Sequence, residues 1–304
     1  MKFFTNKNLE SKIIKFFIKT ELRGEVIKIK ELLDPKLDYV FKRIFGHKGN
    51  EDITKSLISS ILKKDITELT LEGDKILEKD VLDEKIGILD IRAKIGENVN
   101  CDIEIQVIDQ KNTEKRILFY ASKMLIQSIT KGKDYSTIKK SIAILIADYE
   151  LGSLAEMKKY SSKWNFREEE YGNIILTDAI EIYIIEMPKL EKYPTGTVLD
   201  KWVKFIKNPK VIDMSEKEIK KAKEVLEEIS QDEHARRLAE LREKYIMDQQ
   251  AIEEGGYDKG LKKGKEQEKI EIAKKLLELG IEESKIIEAT ELTDKEIEKL
   301  KQGQ

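Results

Sequence analysis

Leu89-Asp90-Ile91-Arg92-Ala93-Lys94-Ile95 and Cys101-Asp102-Ile103-Glu104-Ile105-Gln106-Val107 decide the fold. In both runs the odd positions are apolar and the even ones polar or charged, and the residues from Gly96 to Asn100 separate them. Two period-2 runs around a short Gly/Asn loop predict a β-hairpin with one aliphatic and one polar face. Symmetry about Asn98 sets Asp90 opposite Gln106 and makes Glu104 its diagonal neighbour, about 7 Å away between Cβ atoms.

The flanking sequence supplies the cover. A helix is expected from Thr113 to Thr130, closed by Lys131-Gly132. Ser141 to Ala147 is an almost continuous apolar run, as in a strand buried on both faces, and Gly172 to Met187 reads as a further β-rich segment. Upstream, Asp38 to Phe45 has a helical pattern ended by Gly46, and a second helix runs from about Glu51 to Lys63. A β-type segment from Ile66 to Leu77 and a charged stretch from Glu78 to Lys85 precede the hairpin. Hairpin, helix and buried strand together predict an α/β fold, a mixed sheet flanked by helices.

Beyond Trp202 the composition changes. Ile219 to Tyr245 is charge-dense and helical in pattern, and Gly256, Gly260 and Gly264 recur every four residues. Two readings stand for these glycines: a bent helix or flexible linker, since each costs a helix about 1 kcal/mol relative to Ala, or a close-packing helix face. Short helices should follow, with Thr293-x-x-Glu296 as a capping box. This divides the chain into an extension (1–30), an α/β domain (31–212), a charged helical segment (213–254), and a glycine-spaced linker with a small helical tail (255–304).

Charged residues make up 38% of the 304 residues and hydrophobic ones 40%, which suits a core carrying long solvated helices. The net charge of −2 announces no global field for nucleic acid, so any such contact must be local. A single cysteine, Cys101, excludes an intrachain disulfide framework, and His47 and His234 have no ligand-like spacing. His47 is expected in a loop and His234 on a helix surface. The apolar stretch near Ile13 to Ile18 is interrupted by Lys15 and too short for a signal core or a span, so a soluble, cytoplasmic protein is expected.

The polar hairpin face admits two readings. It is either solvated surface or a site where the Asp90 and Glu104 carboxylates share a hard cation, with the Ile105 carbonyl as a further ligand. Such a cation would activate water and neutralise charge on a phosphodiester. Arg116, Tyr120, Lys123 and Gln127, on one stripe of the next helix, suit phosphate recognition or a solvated face equally.

Several ordered strings resemble the recombination-promoting nuclease/putative transposase family within the PD-(D/E)XK nuclease superfamily. They are Asp34-Pro35-Lys36-Leu37-Asp38-Tyr39-Val40-Phe41-Lys42-Arg43-Ile44-Phe45-Gly46, Gly87 to Ala93, Ile103-Glu104-Ile105-Gln106, Arg116 to Tyr120 and Gly132-Lys133-Asp134-Tyr135. The C-terminal glycine repeat and the ending from Ala273 to Leu300 also match, so the resemblance runs from about residue 31 to the end. It implies a restriction-endonuclease-like fold with a helical C-terminal extension, and a Mg2+-dependent (or Mn2+-dependent) DNA endonuclease acting in recombination. Asp90 and Glu104 would then be metal ligands and Gln106 would take the superfamily's lysine position. Glutamine brings no charge. Lys123 is therefore the expected source, with Lys85 a second candidate and Asp38 either an auxiliary acid or a helix cap. The contrasting expectation is a DNA- or protein-interaction module that keeps the fold with weakened catalysis. DNA is the expected partner, through Lys131, Lys133, Lys139 and Lys140 or through Lys201, Lys204, Lys207 and Lys210, and self-association would use the C-terminal helices.

Overall fold

The computed structural model describes residues 31–72, 91–109, 111–210 and 215–302. The extension 1–30, Glu78 to Lys85 and Asp90 therefore lie outside the described residues. The chain forms two compact units, residues 1–242 and 243–304.

Six strands build the sheet of the first unit: β1 (Leu69–Glu72), β2 (Ile91–Ile95), β3 (Val99–Gln106), β4 (Lys140–Ala147), β5 (Ser161–Arg167) and β6 (Ile175–Glu186), in the order β1-β2-β3-β4-β6-β5. The inner strands β3, β4 and β6 are parallel, while β1, β2 and β5 pair antiparallel at the two edges. This is the mixed sheet expected from the sequence. The apolar run of β4 lies at its centre, with every residue from Ser141 to Ala147 buried.

Each face has its own cover. Helix α3 (Thr113–Gln127) lays Ile117 and Ala121 on Ala143, Leu145, Ala147, Ile180 and Ile184. The small side chains Ala121, Ala143 and Ala147 let the helix come close to the strands. The other face carries Ile91, Cys101, Ile103, Ile105, Ile142 and Ile144, all buried. Helix α1 (Asp38–Phe45) packs on β3 and α2 (Glu51–Leu62) on β1, while α4 (Val198–Lys207) and α5 (Lys217–Gln231) pack on α2. An aromatic chain joins them, Phe41 to Phe45 at 4.6 Å, Phe45 to Trp202 at 5.5 Å and Trp202 to Phe205 at 6.0 Å between ring centroids. Trp202 and Phe205 are fully buried core residues.

The hairpin register differs from the expectation by two residues. Ile91 pairs with Ile103, Arg92 with Asp102 and Ile95 with Val99, so the centre of symmetry is Glu97 and not Asn98. Val99 and Asn100 belong to the ladder, and three residues close the turn. Gly96 permits this with φ 56°, a left-handed conformation that costs glycine little, and its N–H donates to the Glu68 carbonyl at 3.1 Å.

In the second unit, helix α6 (Glu233–Glu278), which begins in the first, continues unbroken through the spaced glycines. Among the described residues, a Cβ placed on Gly255, Gly256, Gly260 or Gly264 would meet nothing within 4 Å, so the spaced glycines mark no close packing there. Ala273, Ile286, Leu292 and Ile297 form a small core between the end of α6, α7 (Glu283–Thr290) and α8 (Asp294–Lys301). The Thr293–Glu296 capping box is present at the start of α8. His47 is exposed in a loop and His234 on a helix. Among the described residues, no helix is long and apolar enough to cross a membrane.

Candidate active site

The parallel register decides which side chains share a face. Asp102, Glu104 and Gln106 stand beside Ala143, Leu145 and Ala147, on the face that α3 covers. The polar row of β3 is therefore sheltered. Asp102, Glu104 and Gln106 are only 7%, 4% and 7% exposed, although polar alternation by itself fits a wet face equally well. Ile105 points the other way, into the apolar layer beneath α1.

A buried carboxylate needs partners, because unpaired burial of its charge is costly. Glu104 Oε1 accepts a hydrogen bond from Arg116 Nη2 at 2.9 Å and another from Gln106 Nε2. Arg116 sits on the first turn of α3, just before the buried Ile117, and this carries its guanidinium toward β3. Gln106 is held at its other end, where Tyr149 donates its hydroxyl to Gln106 Oε1 at 2.6 Å. The Tyr149 oxygen lies 3.0 Å from Thr113 Oγ1. Burial, with smaller contributions from the Asp109 and Glu104 charges, outweighs Thr113 and Arg116 and pushes the Tyr149 phenol up to about 12.

The same rim carries a second ion pair. Asp148, next after β4, donates its backbone N–H to the Gln106 carbonyl at 2.9 Å and accepts from Lys36 Nζ at 2.7 Å. Burial works against the Lys36 ammonium, but Asp148 and Asp34 outweigh it and raise its pKa. Burial also raises the Asp34 carboxyl, more than Lys36 lowers it. Asp38 is the first residue of α1, not its cap, and it forms an ion pair of 2.5 Å with Arg242.

Of the stripe on α3, Arg116 is the cation that touches Glu104. Tyr120 is half-buried, and Lys123 and Gln127 are exposed farther along the helix. Gln127 joins Arg92, Lys94, Asn100, Ser128 and Lys139 around a cleft of about 300 Å³ on the same sheet face. Lys140 is bound to Glu181 at 2.9 Å, and Lys201, Lys207 and Lys210 pair with Glu216, Glu191 and Glu31 at 2.7, 2.9 and 2.6 Å. Lys131, Lys133 and Lys204 are exposed. Sequence reasoning missed Tyr149, Thr113 and the Lys36–Asp148 pair. The available signal was position, since Tyr149 follows a buried strand by two residues and so falls at its rim.

A hard divalent cation needs several oxygen ligands. Among the described residues no group of three or more His, Cys, Asp or Glu side chains comes together, and Glu104 is the carboxylate of the polar β3 row that lies at the rim. Its carboxylate oxygens suit such an ion, and β2 (Ile91–Ile95) brings no second carboxylate to it.

No curated protein matches the chain, and no solved structure matches it. Family comparison does find matches. Residues 266–302 match the Rpn/YhgA-like nuclease family, C-terminal HTH domain, which covers the end of α6 with α7 and α8. Residues 35–255 match the PD-(D/E)XK nuclease family transposase, from the Asp34-Pro35 turn through the whole sheet and into α6. That match spans well over half of the 304 residues, and the chain belongs to the PD-(D/E)XK nuclease family transposases.

Proposed function

We propose that the protein is a metal-dependent DNA endonuclease that hydrolyses phosphodiester bonds and promotes DNA recombination in the manner of a transposase. The observation that carries this reading is the sheltered Glu104–Gln106 pair with Arg116 at the end of β3, inside the region matched to the nuclease family. Asp90, Glu104 and the Ile105 carbonyl would hold Mg2+ or Mn2+. When bound, such an ion lowers the pKa of its water and neutralises charge on the phosphoryl oxygens.

The chain's own residues have separate tasks. Arg116 balances the Glu104 charge, and its guanidinium presents a fork of donors that suits a phosphate. Gln106 offers amide N–H groups where the superfamily has an ammonium, so it can orient a water but supplies no charge. Arg116 is better placed than Lys123 to provide that charge. Lys36 at the rim is a further cation, although Asp148 holds it. The C-terminal HTH region of residues 266–302 supports DNA as the partner.

The second reading is an interaction module with weakened catalysis. It is favoured by Gln106 in the lysine position and by the ion pair that already engages Glu104. Plasmid nicking with Mg2+ or Mn2+ separates the two. The endonuclease should nick, and Asp90→Ala should abolish nicking. Equal nicking by parent and variant would remove the catalytic assignment, and DNA retention without nicking by either would favour the module.

A further inference from the structure

Gln106 differs from a lysine in having two unlike ends. Turned about its last bond, a carboxamide exchanges a donor for an acceptor with little change in shape. With Nε2 toward Glu104 it donates to the carboxylate; reversed, it would set one acceptor against another. A glutamine at this position therefore works only when something fixes its direction.

The Glu104 carboxylate, which can only accept, selects that direction, and a group outside β3 holds the amide in it. The Tyr149 hydroxyl donates to Gln106 Oε1 at 2.6 Å, and with Nε2 on Glu104 the amide is held at both ends. A phenol has one proton, and here it goes to Gln106, so the bond of 3.0 Å to Thr113 must be donated by the threonine hydroxyl. Thr113 is 2% exposed and holds its place at the start of α3. The result is a one-way chain of donors, from Thr113 to Tyr149 to Gln106 to Glu104, with Arg116 closing it from the far side. It draws on β3, the start of α3 and the segment after β4. The phenol stays protonated well past neutral pH because burial disfavours its anion, so the direction of the chain does not change in the working range.

We infer that Tyr149 is a positioning residue that holds the Gln106 amide with its N–H groups toward the Glu104 edge, and so lets glutamine stand in the position of the motif lysine. The inference rests on the endonuclease reading for its catalytic consequence, but the clamp itself can be tested without turnover.

The first measurement uses full-length protein labelled with 15N-glutamine. The Gln106 side-chain amide pair is identified by its loss in Gln106→Glu. Tyr149→Phe should speed solvent exchange of that pair by about tenfold or more, since an amide no longer held at its oxygen leaves its bond to Glu104 more often. Unchanged exchange would overturn the clamp, whether or not the protein nicks DNA. The second measurement is nicking kinetics. Tyr149→Phe should lower kcat by about tenfold with KM unchanged, the size of one lost hydrogen bond. In a Gln106→Lys background the same change should cost less than about twofold, because an ammonium has no ends to reverse. Equal losses in both backgrounds would mark Tyr149 as a packing residue only and overturn the inference. Absence of nicking by the parent would instead remove the endonuclease reading and leave the exchange measurement to decide the clamp.

Discussion

Glu104 shows how much a single side chain depends on its neighbours. It is 4% exposed on an inner strand, and the Arg116 guanidinium lies 2.9 Å from its Oε1. Arg116→Met would leave that charge buried and poorly balanced. The expected cost is about 1–3 kcal/mol, below the figure for a fully buried pair because Arg116 retains some solvent contact. A lowered urea midpoint with an unchanged m-value would show it. This contact was only partly legible in the sequence. The stripe Arg116, Tyr120, Lys123 and Gln127 follows from helical spacing, but spacing does not say which turn meets β3. The start at Thr113 is legible in the sequence, but the burial of Ile117, which settles the turn, follows from tertiary packing. Tyr149 left no periodic trace, since it belongs to neither a strand nor a helix.

At the scale of elements, period-2 alternation was enough to find β2 and β3, and an apolar run was enough to find β4. Register was harder. Val99 and Asn100 look like turn residues beside Gly96, but the ladder takes them in, and the pairing moves by two residues. Two glycines, one held by its backbone conformation and one by its neighbours, give a contrast. Gly96→Ala meets no neighbour among the described residues and bears only the left-handed strain there, so thermal unfolding should show a loss of about 1 kcal/mol. At Gly46, after α1, an added Cβ would lie 2.8 Å from the Lys42 carbonyl and 3.2 Å from Ile91, so Gly46→Ala should lower the melting temperature further. Three strands also meet electrostatically at Glu181 of β6. Lys140 of β4 and Lys163 of β5 bind it at 2.9 and 2.8 Å. Burial, the largest influence, raises its pKa, but the two lysines with Tyr183 outweigh burial and hold the carboxyl below its ordinary value of 4.5. A depressed carboxylate stabilises the fold above its unfolded pKa and loses that contribution as pH falls through the folded one. Glu181→Gln should therefore be less stable than the parent near neutrality, with the gap closing below about pH 4.5 in urea titrations at several pH values.

For the whole molecule, two units imply two cores that can fail separately. Ile297 is fully buried in the small C-terminal core, so Ile297→Asp should unfold residues 266–302 and leave the sheet intact. Calorimetry should then lose one transition and keep the other. Helix α6 belongs to both units, and from Met247 to Glu268 its described side chains are nearly all exposed. That stretch must hold itself together by its own backbone bonds, without a core beside it. Gly255, Gly256, Gly260 and Gly264 remove about 4 kcal/mol of helix preference relative to alanine. Amide exchange should therefore run faster there than at either end of α6. A stretch that melts also changes length, from about 1.5 Å per residue in a helix to about 3.3 Å extended. Over residues 255–264 that is a change from about 15 Å to about 33 Å, so the glycines give this helix a reserve of reach that a uniformly alanine-rich rod would lack.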